Sequence, residues 1–424
     1  MSRRLVIVVR ADPVICGHSG EGRNLAEAAL QRGFDEVRIV TWPIERLEAA
    51  GLPLKPLESV LPYSDGIHVE RPEPVGDYKV VDGRYIQGLV GRLVELFTDG
   101  VPTVAMSLYL SPHTTAVTDA VAVARKTGLP VDVVTIAEAV GSDVTNVVRQ
   151  CVTEGRFGAA AHVLESYLAN DVCVAVSQYT KDLIVEEARL LDAEHGTRYA
   201  ERCAERITVS YPAIDASLFL GLDDRDIDRH LSARGLVRDG YVFYLSRLAR
   251  AKGVEDLIAG FAASEGAAGR QLVIAGRGPE EQELRGIAAA SPAADRIRFL
   301  TDVDDAEKPF LFAGAAAYVL PTKPRPEFIE TFGIALAEKA LSGGGPAITT
   351  LTGGVGEAVG DTAMIIDVDA PEQIADSIDR ALAMGPEERR EWEDRARAHA
   401  LQFDRLSVFD RLFARVDALE RVPV

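Results

Sequence analysis

The sequence predicts an α/β protein of two domains, each built on a parallel sheet. Three observations carry this prediction. The 424 residues exceed one ordinary core and suit two domains of about 200 residues each. Short apolar runs alternate with helix-length stretches along the chain. The alternation breaks once, in the charged and strand-free segment "LGLDDRDIDRHLSARGLVRDG" near 220–240, and then restarts.

The first 41 residues read as strand (Leu5 to Val9), glycine-bearing loop, helix (about Asn24 to Gln31), turn, and strand "EVRIVT". Parallel neighbours need a crossover helix, so this is a βαβ unit. The runs "TVAMSLY", "VDVVTI" (131–136), "VCVAVS" and "ITVSYP" continue the pattern, which suits a sheet covered on both faces. The connector carries one short helix, and "GYVFYLSRL", "QLVIAG", "IRFLT", "AAAYVLP", "PAITT" and "AMIID" supply a second sheet. Domains are expected at 1–220 and 221–400. A terminal helix over 401–424, with Leu406, Phe409, Leu412 and Phe413 at helical spacing, is expected to pack back on the first domain.

Asp and Glu outnumber Lys and Arg by 65 to 46, a formal charge of -19. Such a surface repels nucleic acid and anionic membranes, so no nucleic-acid partner is expected. An anionic ligand then needs local cations or backbone amides. Four cysteines without a C-x-x-C pair indicate structural thiols in a reducing compartment. The amino-terminal apolar run is interrupted by Arg10 and Asp12, too early for a signal peptide. No run reaches the ~20 residues of a membrane span. A cytoplasmic protein without integral membrane association is expected.

Chemistry-bearing motifs sit after the strands. In "CGHSGEGRNLAEAAL", Gly17, Gly20 and Gly22 precede a helix, where backbone approaches a ligand closely and helix amides receive a phosphate or a sugar hydroxyl. Their G-x-x-G-x-G spacing is neither the dinucleotide fingerprint nor a P-loop. A strand-to-helix turn needing only positive φ explains them equally well. "YLSRLARAKGVEDL" places Arg247 just past a strand and Lys252 five residues on, a pair suited to clamping a diphosphate. "LVIAGRGPEEQEL" ends a strand in Gly276-Arg277-Gly278-Pro279, where the backbone can line a base or sugar-phosphate.

The most informative stretch is "PEFIETFGIALAEKALSGGGP", 326–346. Glu330 precedes a helix whose opening amides, at Thr331, Phe332, Gly333 and Ile334, lack helical partners and are available to an anion. Glu338 lies ~12 Å further along if the intervening residues are helical. Glu330 would take sugar hydroxyls and Glu338 a ribose, with a diphosphate between them. "TGGVGEAVGD" follows the next strand.

These segments, in this order and spacing, resemble the retaining glycosyltransferases of family 4, the glycogen-synthase and sucrose-phosphate-synthase-like group. "LANDVCVAVSQYTKDLI" and "ITVSYPAIDASLF" extend the likeness to the end of the first domain. The resemblance implies a GT-B fold, with two facing Rossmann-like domains and a cleft between them. It further implies an acceptor domain followed by a donor domain, and a transferase of class EC 2.4. By residue, it implies that Arg247 and Lys252 bind the donor diphosphate, Glu330 the transferred sugar, and Glu338 the nucleotide ribose. Amides near Phe332 to Ile334 would contact sugar or phosphate, with Gly20 near the departing phosphate. Neither a cofactor nor a divalent metal is implied; the co-substrate would be a UDP- or GDP-linked sugar.

The departures from the family pattern are specific. Ser246 stands where a glycine is usual, and Tyr211-Pro212-Ala213-Ile214-Asp215 replaces the common Pro-Asn-Gly-Val-Asp. Relatives often carry a histidine in the loop matching "VVTIAEAVGSD", where Glu138 falls; His113, in "LYLSPHTTAV", is the other candidate for that role. An anion there favours a cationic acceptor, a modified sugar, or proton acceptance. The function expected is transfer of a hexose-like sugar to a small soluble acceptor, as in natural-product biosynthesis. A catalytically silent nucleotide-sugar-binding protein and a GT-B epimerase are the alternatives, and a homodimer is left open. A dehydrogenase is disfavoured by the glycine spacing and by Trp42 in place of an acid after the second strand.

Overall fold

The computed structural model describes residues 3–76, 81–326 and 328–420. Glu327 and the last four residues of the tail reading lie outside the described residues. The chain divides into two compact units, 1–214 with 405–424, and 215–404.

The first unit holds a parallel sheet in the order β3-β2-β1-β4-β5-β6-β7. Its strands are β1 (Arg4–Val8), β2 (Glu36–Val40), β3 (Ile67–Glu70), β4 (Thr103–Leu108), β5 (Val133–Ala139), β6 (Val172–Ala175) and β7 (Ile207–Val209). The central strands β1 and β4 are buried throughout, as expected when helices cover both faces. β3 was not anticipated: "IHVE" is short, with only Ile67 buried, so it lacks the apolar run that marks a central strand. The terminal helix Arg405–Glu420 packs on the first helix, Gly17–Gln31. There Phe409 and Phe413 stack on each other and present themselves to the edge of Phe34, and Arg32 forks onto Asp410 at 2.6 Å.

The second unit carries β8 (Tyr241–Leu245), β9 (Gln271–Ala275), β10 (Ile297–Leu300), β11 (Ala317–Leu320), β12 (Ala347–Thr350) and β13 (Ala363–Ile366). They form a parallel sheet ordered β10-β9-β8-β11-β12-β13. This is a doubly wound arrangement whose order reverses between β8 and β11, and a ligand crevice opens at the carboxyl ends of the strands flanking such a switch. Tyr241, Phe243, Phe312 and Tyr318 fill the core with edge-on and tilted ring contacts. The charged connector contains the single helix Asp224–Ala233, capped by the Asp223 side chain. The four cysteines are free thiols, Cys173 and Cys203 buried and the other two half-buried.

Two expected boundaries shift. The first helix begins at Gly17, so Gly17, Gly20 and Gly22 lie in its opening turns and not in a loop. None of them needs a positive φ. Glycine's poor helix propensity disguised this start, and burial of Glu21, Gly22, Leu25 and Ala26 overrides it. Gly22 has a packing reason: a Cβ there would lie 3.0 Å from Val9 Cγ1. Strand β5 runs three residues past the expected end at 136, carrying Glu138 into the sheet opposite Leu108 and Val174.

Candidate functional site

At the carboxyl edge of the second sheet, the turn after β8 and the segment after β11 lock together. Lys323 N–H donates to the Ala251 carbonyl at 2.8 Å. Gly253, at φ 64°, comes so close to the Pro321 carbonyl that a Cβ would stand 2.1 Å from its oxygen. A side chain at Gly253 would therefore push the two segments apart. After β12, Gly353 likewise presses on the Glu330 backbone, 2.0 Å from its carbonyl oxygen to an added Cβ, while Gly354 N–H donates to that oxygen at 2.9 Å. The glycines of "TGGVG" are thus the support under Glu330. A buried cluster of Thr322, Thr350 and Thr352 hydroxyls ties the ends of β11 and β12 from below.

This framework brings Lys252 and Glu330 into a direct ion pair, with both side chains largely buried. Phe328 lies beside them: the Lys252 ammonium is 4.9 Å and the Arg247 guanidinium 5.3 Å from its ring centroid. One aromatic face therefore gathers both cations, with Arg247 exposed and Lys252 enclosed. Sequence reasoning missed Phe328, because an aromatic residue in a proline-rich loop carries no periodic signal.

The next helix, Ile334–Ser342, is shorter than expected; it is preceded by Gly333 at φ 98° and has no acid in its first turn. Its first backbone bonds run from Leu336 and Ala337 to the Gly333 carbonyl, so the Ile334 and Ala335 amides lack a helical acceptor. Glu330, Thr331 and Phe332 lie before this helix, so helical rise does not set the Glu330-to-Glu338 separation. Phe332 is a core residue, 2% exposed and edge-on to Phe403 at 4.9 Å. The positive φ of Gly333 ends the extended segment and starts the helix. Glu338 is on the helix and pairs with Lys308 at 2.6 Å, a partner the sequence did not mark.

Gly276, at φ 138°, lies against the Ser246 carbonyl, 1.9 Å from an added Cβ to its oxygen, and Gly278 is equally close to Leu248. These two glycines bring the β9 turn onto the Arg247 segment, and Leu248 N–H donates to the Arg277 carbonyl at 2.9 Å. The Arg277 side chain is exposed and donates to the Thr301 carbonyl.

In the first unit, Glu138 is fully buried on β5, and among the described residues no donor reaches either of its carboxylate oxygens. It is not the loop residue anticipated. Its neighbour is Glu21 of the first helix, 3% exposed, which accepts the Ala213 amide at 3.3 Å. Burial, then the Glu21 charge, holds Glu138 well above the ordinary carboxyl range. Burial likewise pushes Glu21 up to about 7, against the lowering effects of Glu138 and the Ala213 amide. Two carboxyls so placed cannot both ionise at low cost, and one proton between them satisfies the pair. A neutral carboxyl is also what allows a glutamate inside a buried strand. Asp143 lies nearby, raised by burial although it accepts amides from Leu110, Val140, Gly141 and Val144.

His113 is 1% exposed with both ring nitrogens engaged. Nδ1 donates to the Leu108 carbonyl at 2.6 Å, and Nε2 accepts from the Trp42 indole at 3.0 Å. Burial drops its pKa to about 4. A histidine so bonded is a neutral structural link and has no free nitrogen for a substrate.

The Glu21 and Glu138 pair sets a pH dependence. An acid raised in the folded state binds more protons there than in the unfolded chain, so stability falls as pH rises from the unfolded value toward the folded one. With Glu21 moving from 4.5 to about 7, wild-type stability is expected to decline between pH 5 and pH 8. Glu138→Gln should remove about 1–3 kcal/mol of that decline. Thermal melts of both proteins at the two pH values check this, and parallel pH profiles would refute the shared-proton pair.

Two parallel-sheet α/β units, the second with paired ions at its switch point, define a protein of the GT-B fold. The family described as "Glycosyl transferases group 1" matches residues 229–399, nearly the whole of the second unit, 215–404. Mycobacterium tuberculosis proteins named GDP-mannose-dependent alpha-(1-6)-phosphatidylinositol monomannoside mannosyltransferase are 31% identical over 162 residues, 36% of this chain and 42% of theirs. The aligned region thus spans less than half of these relatives' length. Among solved structures, Anabaena HepE with UDP and glucose has a TM-score of 0.69 at 17% identity, covering 98% of this chain and 99% of that one. Sucrose-phosphate synthase from Thermosynechococcus elongatus has a TM-score of 0.67 at 19% identity, covering 99% of both. No described helix is long and apolar enough to cross a membrane.

Proposed function

We propose that the protein is a retaining glycosyltransferase that moves a hexose-like sugar from a UDP- or GDP-linked donor to a small soluble acceptor, without a metal ion. The observation that carries this reading is the Lys252–Glu330 ion pair beside Phe328 and Arg247, at the carboxyl edge of a group 1 domain. Without ligand, each ion neutralises the other. An arriving diphosphate draws Lys252 and Arg247 to its oxygens and releases the Glu330 carboxylate to the sugar hydroxyls. The Ile334 and Ala335 amides add fixed dipoles. Glu338 exchanges Lys308 for the ribose hydroxyls.

In the transfer step the anomeric C–O bond to the diphosphate breaks and a bond to the acceptor forms on the same face. The acceptor's proton passes to the leaving phosphate oxygen. Lys252, Arg247 and the helix amides stabilise the growing negative charge, as preorganised electrostatics do, which supplies the role a cation would otherwise have. No enzyme nucleophile is required. Glu138 shares its proton with Glu21, and His113 holds Trp42.

The named donor of the Mycobacterium relatives is GDP-mannose, and HepE was solved with UDP and glucose, so both donors are tested. The protein is incubated with UDP-glucose or GDP-mannose, and nucleotide release is followed without acceptor. Soluble polyols and vesicles containing phosphatidylinositol mannoside are then added, and the product anomer is read by NMR. Transfer with retained configuration is expected. Inversion, or no release from either donor, would overturn the reading, and transfer to vesicles alone would overturn the soluble acceptor.

A further inference from the structure

We infer that the second unit has another binding site, for a small phosphorylated molecule, at the sheet edge opposite the Lys252–Glu330 pair. A cavity of about 550 Å³ lies there, within the size range of small-ligand sites. Its walls include Asp239 just before β8, Arg270 just before β9, Ala316 just before β11, and Gly343 and Gly344 ahead of β12. All six strands are parallel, so these positions mark their amino ends, a strand length away from the donor residues.

Charge makes the cavity selective. Five arginines line it, Arg238, Arg270, Arg389, Arg390 and Arg397, against two acids, Asp239 and Glu393. This stands out in a chain of formal charge -19. Arg389 uses both acids, at 2.6 and 3.1 Å. Among the described residues, Arg270 donates to the backbone carbonyls of Asp239 and Gly266 and to no side chain. The exposed Arg390 guanidinium has no partner among the described residues. Arg238 and Arg397 pair outward with Asp224, Asp228 and Asp394, whose side chains are 84%, 63% and 76% exposed. Ion pairs so exposed are worth little, and an anion inside the cavity competes with them.

Geometry selects a phosphoryl group over a carboxylate. Arg238 and Arg270 stand by the strand ends, while Arg389, Arg390 and Arg397 come from the helix Pro386–Ala400. That helix begins at Pro386, which lines the cavity but has no N–H, so the donors offered to an anion are the guanidinium groups. Glu387 and Glu388 of its first turn are exposed and do not line the cavity. A tetrahedral dianion accepts guanidinium donors from several directions at once, whereas a planar carboxylate engages one fork. The wall includes Ser342 and Gly343, at the far end of the helix whose first turn carries the Ile334 amide.

The experiment is calorimetric titration of the full chain with inorganic phosphate at constant ionic strength. It compares wild type, Arg390→Glu, Arg270→Gln/Arg390→Glu and Lys252→Ala, with acetate as the planar control. Saturable phosphate binding is expected in wild type and in Lys252→Ala. Arg390→Glu should weaken it at least about tenfold, the double variant should abolish it, and acetate should give no saturable heat. Thermal melts without phosphate, unchanged in Arg390→Glu, show that the fold is kept. Binding lost in Lys252→Ala and kept in the arginine variants would assign the phosphate to the donor residues and overturn the inference. So would the absence of saturable binding in wild type, or acetate binding as tight as phosphate.

Discussion

Lys252→Ala is expected to lower turnover of the nucleotide sugar by about 10²- to 10³-fold, the loss typical of removing one preorganised charge-stabilising donor. Lys252 is only 6% exposed, and its ammonium is fixed between the Glu330 carboxylate and the Phe328 ring. A cation so enclosed is oriented before the donor arrives, so little reorganisation accompanies the developing charge. The substitution also leaves Glu330 without its counterion in a site where its side chain is 12% exposed, which by itself lowers stability. Glu330→Gln in the same background restores neutrality, so the double variant should melt higher than Lys252→Ala while remaining inactive. Nucleotide release and thermal melts of the three variants check both parts. Turnover near wild type in Lys252→Ala would remove Lys252 from the donor site.

The largest stability effect is expected from Lys323→Met. Lys323 is 4% exposed, and its ammonium meets Glu255, Asp256 and Asp369 at 2.7, 2.8 and 2.7 Å. Burial pulls its pKa down, but the hydrogen bonds to Asp256, Asp369 and Glu255 outweigh that and hold it above the ordinary lysine value. Removing one member of such a network leaves uncompensated charge, costing about 3 kcal/mol; the exposure of Asp369 keeps the figure from being larger. A raised lysine contributes its full stabilisation below the unfolded value of about 10.4 and loses it as pH rises further. The deficit should therefore be constant from pH 7 to pH 9. Urea unfolding followed through Trp392 in a Trp42→Phe background reports on the second unit, since these are the chain's two tryptophans. A midpoint unchanged by Lys323→Met would refute the network. Since Lys323 N–H also holds the Ala251 carbonyl, loosening this segment should weaken donor binding as well.

Much of the fold was legible because parallel strands buried on both faces must be apolar. Twelve of the thirteen strands among the described residues begin within or beside a run such as "TVAMSLY" or "YVFYL". The exception, β3, sits at a sheet edge, where one partner strand and partial burial permit "IHVE". The residues at the carboxyl edge of the second sheet were legible for another reason. Arg247 and Lys252 lie in the turn that follows β8, and Glu330 and Gly333 in the longer segment between β11 and the next helix, so the doubly wound topology itself delivers them to one edge.

The parts that were not legible depend on contacts between residues distant in sequence. Glu138 looked like a loop anion because a charged residue usually ends a buried strand; only the approach of Glu21 from the first helix lets it stay neutral inside one. His113 looked like a free imidazole until Trp42 and the Leu108 carbonyl took both nitrogens. Gly17 and Gly20 looked like a loop because helix propensity is a local quantity, whereas the helix start is decided by burial of the residues after it.

The sequence alone determined the two α/β units, the strand ends that bear cations and acids, and the glycines that let those ends come together. Periodicity and turn chemistry act between near neighbours, and near neighbours can be read in order. The tertiary structure alone decided which charges meet: Lys252 with Glu330, Glu338 with Lys308, Lys323 with its three carboxylates, and Glu138 with Glu21. Electrostatic energy depends on distance and burial in space, and neither is written in the spacing of residues along the chain.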